Sequence, residues 1–581
     1  MPPVHPLHRS LPIHAKFITM KPTLAAALIA AFTTLGLGGL TLPAKAAPSL
    51  PSTNVAWQPA AADADIDRAF AEARARNKPV LLYWGASWCP PCNQLKATLF
   101  NRQDFAALSK SFIAVHVDGD RPGAQKLSTR FKVSGYPTVV LFTPQGQEIT
   151  RLPGEADAPQ VMAVLHSGLT GGRPVKAVLD DALSGQGSGQ GSGKTLSAGD
   201  WKMLAFYSWD TDEQQLVPKA DVPATLVRLA VASPTADADT TTRLWLKALA
   251  ASDDGKGVKA DDSLRARVMK VLADPLQARL HMDVLTHSAD DIVRTLEPDE
   301  GGGATSGVTA GVTAGVTAGV TADTAAGNPK GRVALLAAFE TALKRLQADA
   351  TLSRNDRMGA LYARVLLARL DGPKDAVQVK LAEPLLKDVR DHVALADREI
   401  TDGYERQAVI TYAGALLGRA GLWAESDALL KANLARSHSP YYLMSQLGGN
   451  ARRLGHNEEA LRWYGLAFDK SEGPATRLEW GSRYLSALVD LSPQDAARIE
   501  KTAATLVAQA GRDRGAFEGR SVRSLQRMGS KLGSWNADGK RAATLLRLQT
   551  QLDAVCARAD AADGQRAACQ ALLKPAAKKS A

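Results

Sequence analysis

The sequence predicts a compact α/β domain followed by a large all-helical domain of repeat-like character. Three observations carry that prediction. Between residues 63 and 169, short β-branched and apolar runs alternate with helix-periodic stretches and end in a hairpin signature. From Trp201 onward the chain is almost wholly helix-patterned, with hardly any alternating strand runs. Within that helical part, Arg419-Ala-Gly421 and Pro440 recur 34 residues later as Arg453-Leu-Gly455 and Pro474. At 581 residues the chain exceeds what one core can organise.

The N-terminal stretch reads as an export signal. Met20-Lys21, the uncharged run from Leu24 to Leu42 and Ala44-Lys45-Ala46 form a positive flank, an apolar core and a small-residue cleavage site. Residues 1–46 are therefore expected to be a signal peptide cut after Ala46, with Met20 as an alternative start. The rival is a membrane anchor retained through an uncleaved signal, against which stand the Thr and Gly residues that dilute the run. No cysteine lies near the cut, so acylation is not expected, and no later segment is apolar enough to span a bilayer. Export places the mature chain in the periplasm, where disulfides persist.

The elements then follow in order. Residues 63–76 place Ile66, Ala69, Phe70 and Ala73 on one face of a helix. Val80 to Trp84 is a short buried strand, and a helix runs from Cys89 to about Leu99. Phe112 to Val117 is a second strand, and Leu127 to Lys132 a short helix. Thr138 to Phe142 turns through Pro144-Gln-Gly146 into Glu148–Leu152, a hairpin. A helix from Gln160 to Leu169 closes the domain, which spans residues 55–172.

Residues 181–197 form a flexible Gly/Ser linker. Gly193-Lys194-Thr195 superficially suggests a phosphate loop, but no strand precedes it and the glycines belong to a repetitive tract, so nucleotide binding is not expected. The helical domain covers 198–575, with Trp201, Trp209 and Trp245 as core residues. It is interrupted at 299–329 by a Gly-Val-Thr-Ala repeat with too little apolar bulk to fold. The period of 34, with Gly between helices and Pro closing the unit, resembles the tetratricopeptide repeat around residues 406–475. Such stacked helix pairs leave a concave surface for a peptide or protein partner.

Composition excludes several function classes. The formal charge of +11 is spread over mixed basic and acidic residues, without a Lys/Arg block interleaved with aromatics, so nucleic-acid binding is not expected. No G-x-S-x-G elbow occurs and the His residues are scattered, which removes Ser/His/Asp catalysis. The 4 cysteines fall into two local pairs, Cys89/Cys92 and Cys556/Cys569, too few for a disulfide framework. They lie too far apart to share a zinc site, and no metal or other cofactor is expected.

Trp88-Cys89-Pro90-Pro91-Cys92 sits where a strand hands over to a helix. A sulfur at a helix N-terminus has its thiolate stabilised by free N–H groups and the positive dipole end. Cys89 is expected to be the exposed nucleophile, and Cys92, almost one turn further in, the resolving thiol. Pro90-Pro91 removes two N–H donors from that terminus while fixing φ at both positions, effects of opposite sign on the thiolate. Cys556 and Cys569 flank an Ala/Asp/Gly turn between two helical runs and read as a structural disulfide.

Residues 55–170 resemble the thioredoxin superfamily, especially its exported branch. The resemblance rests on Trp88, Cys89 and Cys92, on Gly135-Tyr136-Pro137-Thr138 before a strand, and on Gly154 after the hairpin. It implies a cis Pro137 lying against the active-site disulfide. Tyr136 and Pro137 then dock an extended substrate by backbone pairing, while Trp88 shields the site. It also implies protein thiols or disulfides as substrates and a redox partner that recycles the dithiol. One position departs from the family pattern. The buried carboxylate six residues before the first cysteine, which relays the resolving thiol's proton, is here Tyr83. A phenol is a poor base near pH 7, which leaves water, or His116 on the neighbouring strand, to take that role. The expected function is an exported thiol–disulfide oxidoreductase. The alternatives are a helical-repeat adaptor that uses the α/β domain to hold a partner, and a Cu(I)-handling dithiol.

Overall fold

The computed structural model describes residues 55–152, 154–184, 196–213, 215–234, 237–252, 257–297, 329–373, 375–562 and 564–574. The expected signal peptide, most of the Gly/Ser linker and nearly all of the Gly-Val-Thr-Ala insert lie outside the described residues. Five strands, β1 (Gln58–Ala60), β2 (Val80–Gly85), β3 (Ile113–Asp118), β4 (Thr138–Phe142) and β5 (Glu148–Leu152), form one sheet in the order β1-β3-β2-β4-β5. β1 and β2 run parallel to β3, β4 runs antiparallel to β2, and β5 antiparallel to β4.

Every residue of β2 is buried, which is why its sequence is a continuous apolar run rather than an alternating one. Its side chains divide by parity. Val80, Leu82 and Trp84 pack with Ile66 and Phe70 of helix α1 (Asp63–Arg76). Leu81 and Tyr83 face the other way, toward α2 (Pro90–Leu95), α3 (Gln103–Leu108) and α5 (Ala158–Leu169). Helix α4 (Ala124–Arg130) joins the α1 face through Leu127. The chain thus places helices on both faces of a mixed sheet, as the pattern predicts.

Two elements carry no legible signal. β1 has three residues, one of them Pro59, and α3 has six, both shorter than the windows in which periodicity is visible. α2 also ends earlier than predicted and widens into a π turn over Lys96–Phe100.

Beyond the sheet the described chain is helical and builds successive cores. The first gathers residues from Val175 to Leu370 and includes the buried Trp201 and Trp209, with Trp245 packed at its edge. The second spans Met358 to Ala420, and a third runs from Tyr441 to Leu572. The spacing of 34 residues reappears in helix boundaries. The helices Trp423–Asn433 and Asn457–Lys470 start 34 apart, as do Pro440–Arg453 and Pro474–Leu491. Gly421 and Gly455 take the left-handed conformation, with φ of 80° and 78°, just after the helices that precede these pairs. There each following N–H turns back onto the helix end, Leu422 to the Leu417 carbonyl and His456 to the Ala451 carbonyl, both at 2.9 Å. Cys556 and Cys569 form a disulfide between the helices Ala542–Cys556 and Gln565–Ala571, inside the third core. No helix among the described residues is long and apolar enough to cross a membrane.

Candidate active site

Cys89 and Cys92 are joined as a disulfide at the start of α2. Cys89 caps the helix, and its sulfur accepts a hydrogen bond from the Cys92 N–H at 3.2 Å. Pro90 and Pro91 occupy the first two helical positions, where no N–H is available, so Cys92 provides the first amide that can reach the Cys89 sulfur. Asn93 locks the turn from inside. It is fully buried, and its Nδ2 donates to the carbonyls of Ser87 and Cys89, each at 2.8 Å.

The Tyr136–Pro137 peptide is cis, and the two cysteines cluster with Ala86, against which Trp88 and Tyr136 pack. The Tyr136 ring is anchored from behind, its hydroxyl accepting from Gln125 Nε2 at 2.9 Å. The structure therefore brings together Trp88, Cys89, Cys92 and Tyr136 at one end of the sheet.

Exposure of Cys89 is where the sequence expectation needs correction. Cys89 is only 2% exposed and Cys92 0%, because the helical domain covers this end of the sheet. Trp88 stacks on Tyr442 at 5.9 Å between ring centroids and meets Trp480 edge-on at 6.2 Å. The Arg520 guanidinium lies over the Trp88 ring at 4.8 Å and over the Tyr136 ring at 5.2 Å. The helix Gly403–Arg419 packs along α2, and Gln407 and His438 donate to the carbonyls of Trp88 and Ser87. A cysteine at a helix N-terminus is accessible only if nothing docks there, and here a second domain does.

Asp120, just past β3, holds the junction. Its carboxylate accepts from the Trp88 indole at 2.8 Å, from the Thr476 hydroxyl at 2.7 Å and amide at 2.9 Å, and from Arg520 at 3.1 Å. Burial raises its pKa against the opposing pull of Arg520 and these hydrogen bonds. The neighbouring backbone needs glycine at 473, where φ is 83° and a Cβ would come within 2.5 Å of Asp120. Arg520 also pairs with Glu479 at 3.1 Å. Sequence reasoning missed Asn93, Asp120, Arg520, Tyr442 and Trp480. Asn93 had a weak signal, a polar residue one step past Cys92. The others had none, since Asp120 and Arg520 lie 400 positions apart in the chain.

Tyr83 and His116 meet each other, their rings stacked at 4.9 Å and 13° between neighbouring strands. Burial pushes the Tyr83 phenol well above its ordinary range, with Asp118 adding to the shift. Its hydroxyl has no hydrogen-bond partner among the described residues. Burial, helped by Lys96 and Arg121, lowers the His116 imidazole to about 4. Both side chains are therefore neutral at pH 7. Among the described residues no cluster of three or more His, Cys, Asp or Glu is placed to hold a metal ion.

A dithiol that closes into a disulfide at a helix N-terminus, beside a cis-proline loop at the end of a mixed sheet, defines a thioredoxin-like domain. The family description "Thioredoxin-like domain" matches residues 66–168. Thioredoxin-like protein slr0233 of Synechocystis is 35% identical over 98 residues, which cover 17% of this chain and 89% of that protein. Through this domain the chain belongs to the thioredoxin-like family. Thiol:disulfide interchange protein DsbD 1 of Pseudomonas aeruginosa is 34% identical over 112 residues, 19% of this chain and 19% of that protein. The chain thus spans about a fifth of the length of that relative. A solved thioredoxin from Thermus thermophilus aligns at 27% identity over 19% of this chain and 83% of its own, with a TM-score of 0.17.

Proposed function

We propose that this protein is an exported, periplasmic thiol–disulfide oxidoreductase acting on protein thiols and disulfides through Cys89 and Cys92. The observation that carries the reading is the Cys89–Cys92 disulfide at the N-terminus of α2, packed against Trp88 and Tyr136. In the reduced protein the Cys89 thiolate attacks a substrate disulfide, forming a mixed disulfide and releasing one substrate thiolate, which takes up a proton. The Cys92 thiolate then attacks Cys89, the mixed disulfide breaks, and the second substrate sulfur leaves as a thiolate. Two electrons pass to the substrate and the Cys89–Cys92 disulfide forms. A substrate dithiol drives the same steps in reverse. The proton of Cys92 leaves through water, because burial lowers the His116 imidazole to about 4 and so makes it too weak a base to take a thiol proton at pH 7. Tyr136 and Pro137 dock the substrate backbone, a redox partner recycles the dithiol, and the helical domain, read as tetratricopeptide-like, selects partners.

A Cys92→Ser variant should accumulate mixed disulfides through Cys89 that vanish on adding reductant. A non-reducing gel free of trapped species, with Cys89 shown to be reduced, would sink the reading. A second reading has an observation of its own: the burial of Cys89 under the helical domain favours an adaptor that uses the α/β unit to hold a partner. The same trap separates the two, because an adaptor captures nothing covalently.

A further inference from the structure

The helical domain holds the α/β domain in two different ways. On the side of α5, Met203 of the helix Ala198–Phe206 is buried in the α/β core itself, with Phe206 packed at its edge. Over the dithiol the attachment is of another kind. Among the described residues, Trp88 is the one α/β side chain that packs against the third helical core, and none packs against the second. Cys89, Cys92 and Ala86 stay in a small cluster of their own, edged by Trp88 and Tyr136. Around the indole the seam is tied by hydrogen bonds and charge. Thr476 and Arg520 hold Asp120, the Arg520 amide donates to Gln125 Oε1 at 2.8 Å, and Arg523 donates to the Ser134 carbonyl at 2.7 Å.

These two attachments part with different ease. Opening an apolar core exposes surface that water does not compensate, whereas hydrogen bonds across a polar seam are exchanged for bonds to water. Polar seams between domains therefore permit relative motion that apolar ones resist. The dithiol lies under the polar seam. Sulfur exchange, in turn, requires an incoming thiolate to touch the Cys89 sulfur. With Cys89 2% exposed and Cys92 fully buried, the docked seam admits none. The cavity of about 690 Å³ beside Pro90 and Pro91 supplies no route, because neither cysteine lines it.

We propose that the helical domain is an autoinhibitory cap: docked on Trp88 it keeps the dithiol out of exchange, and its third core must part from Trp88 before a thiol reaches Cys89. This rests on the exchange function proposed above and adds its control. Asp120 is the latch, since one carboxylate ties the Trp88 indole of the α/β domain to Thr476 and Arg520 of the cap. Tyr442 and Trp480 are the seat into which the indole fits. The Met203 attachment stays in place and forms the fixed end of the movement.

The test follows reduction of both disulfides of the full-length, oxidised protein by dithiothreitol, with alkylation and peptide mapping to tell them apart. One dithiothreitol thiolate attacks the Cys89 sulfur and Cys92 leaves as a thiolate. The second dithiothreitol thiol, once deprotonated, frees Cys89 and closes the reagent into its cyclic disulfide. Cys556–Cys569 lies inside the third core and reports unfolding of the cap, whereas Cys89–Cys92 reports its parting. Tyr442→Ala, which removes the ring stacked on Trp88, should speed reduction of Cys89–Cys92 by about tenfold or more. Thr476→Val keeps the side-chain volume and removes the hydroxyl bond to Asp120; it should speed the same step about three- to tenfold, and serves if Tyr442→Ala does not fold. In both variants Cys556–Cys569 keeps its wild-type rate. Folded variants whose Cys89–Cys92 reacts no faster than wild type overturn the cap while leaving the exchange function standing. Equal acceleration of both disulfides also overturns the cap, because the helical domain then unfolds instead of parting. A Cys89–Cys92 bond that excess dithiothreitol leaves intact in the wild type and in both variants removes the exchange function itself, and the cap with it.

Discussion

Arg520 shows how much of the site depends on single distant residues. Its side chain is 12% exposed and lies between Asp120 and Glu479, each 3.1 Å away, with Trp88 and Tyr136 under its plane. Removing one member of a largely buried ion cluster leaves the other charges desolvated and uncompensated. Arg520→Ala is therefore expected to destabilise the protein by about 3 kcal/mol, read as a lower urea midpoint, and to shift Trp88 emission to longer wavelength as the indole meets water. An unchanged midpoint would count against a structural role for the cluster. At this scale the sequence was legible where chemistry is local. Cys89, Cys92, Tyr136 and Pro137 announce themselves by spacing and residue type. Asp120 and Arg520 are ordinary charged residues until the fold brings them together.

Among the elements, the helical pair Ala542–Cys556 and Gln565–Ala571 depends most on a single bond. The second of these helices has seven residues, too few to persist on propensity. The Cys556–Cys569 disulfide closes a loop with a sequence separation of 13 and ties that helix to its neighbour. Cys569→Ala should cost about 3 kcal/mol locally, visible as lost hydrogen-exchange protection over residues 542–571, while the sheet stays protected. Equal protection with and without the bond would show that packing alone holds the pair. Long periodic elements such as α1 were readable to their ends, from Asp63 to Arg76. Short ones such as β1 and α3 were not, because three to six residues do not complete a period. The offset of 34 was readable because Gly421 and Gly455 do the same conformational job at two helix ends.

For the molecule as a whole, the expected response to pH follows from two histidines. Burial lowers His116 and His281 to about 4, and both ring nitrogens of His281 lack partners among the described residues. Each imidazole binds its proton less readily folded than unfolded. The stability they contribute is full above about pH 6.5 and drains away as the pH falls toward 4. The loss reaches about 3 kcal/mol per group, since a pKa unit is worth about 1.4 kcal/mol. His281→Leu should flatten the stability profile between those limits, measured as urea midpoints from pH 7 to pH 4. A variant profile as steep as the wild type's would clear His281 of that role.

Sequence was sufficient for what lies within a few residues or within one period: the alternation that builds the sheet, the dithiol at its helix N-terminus, the loop before β4 and the helical character of the rest. Those properties follow from dihedral preference, side-chain periodicity and sulfur chemistry, all of which act over a handful of neighbours. The covering of Cys89 and the Asp120–Arg520–Glu479 junction arise only when surfaces hundreds of residues apart meet. Such docking depends on summed shape and charge over two faces, and neither face carries a repeating signature along the chain.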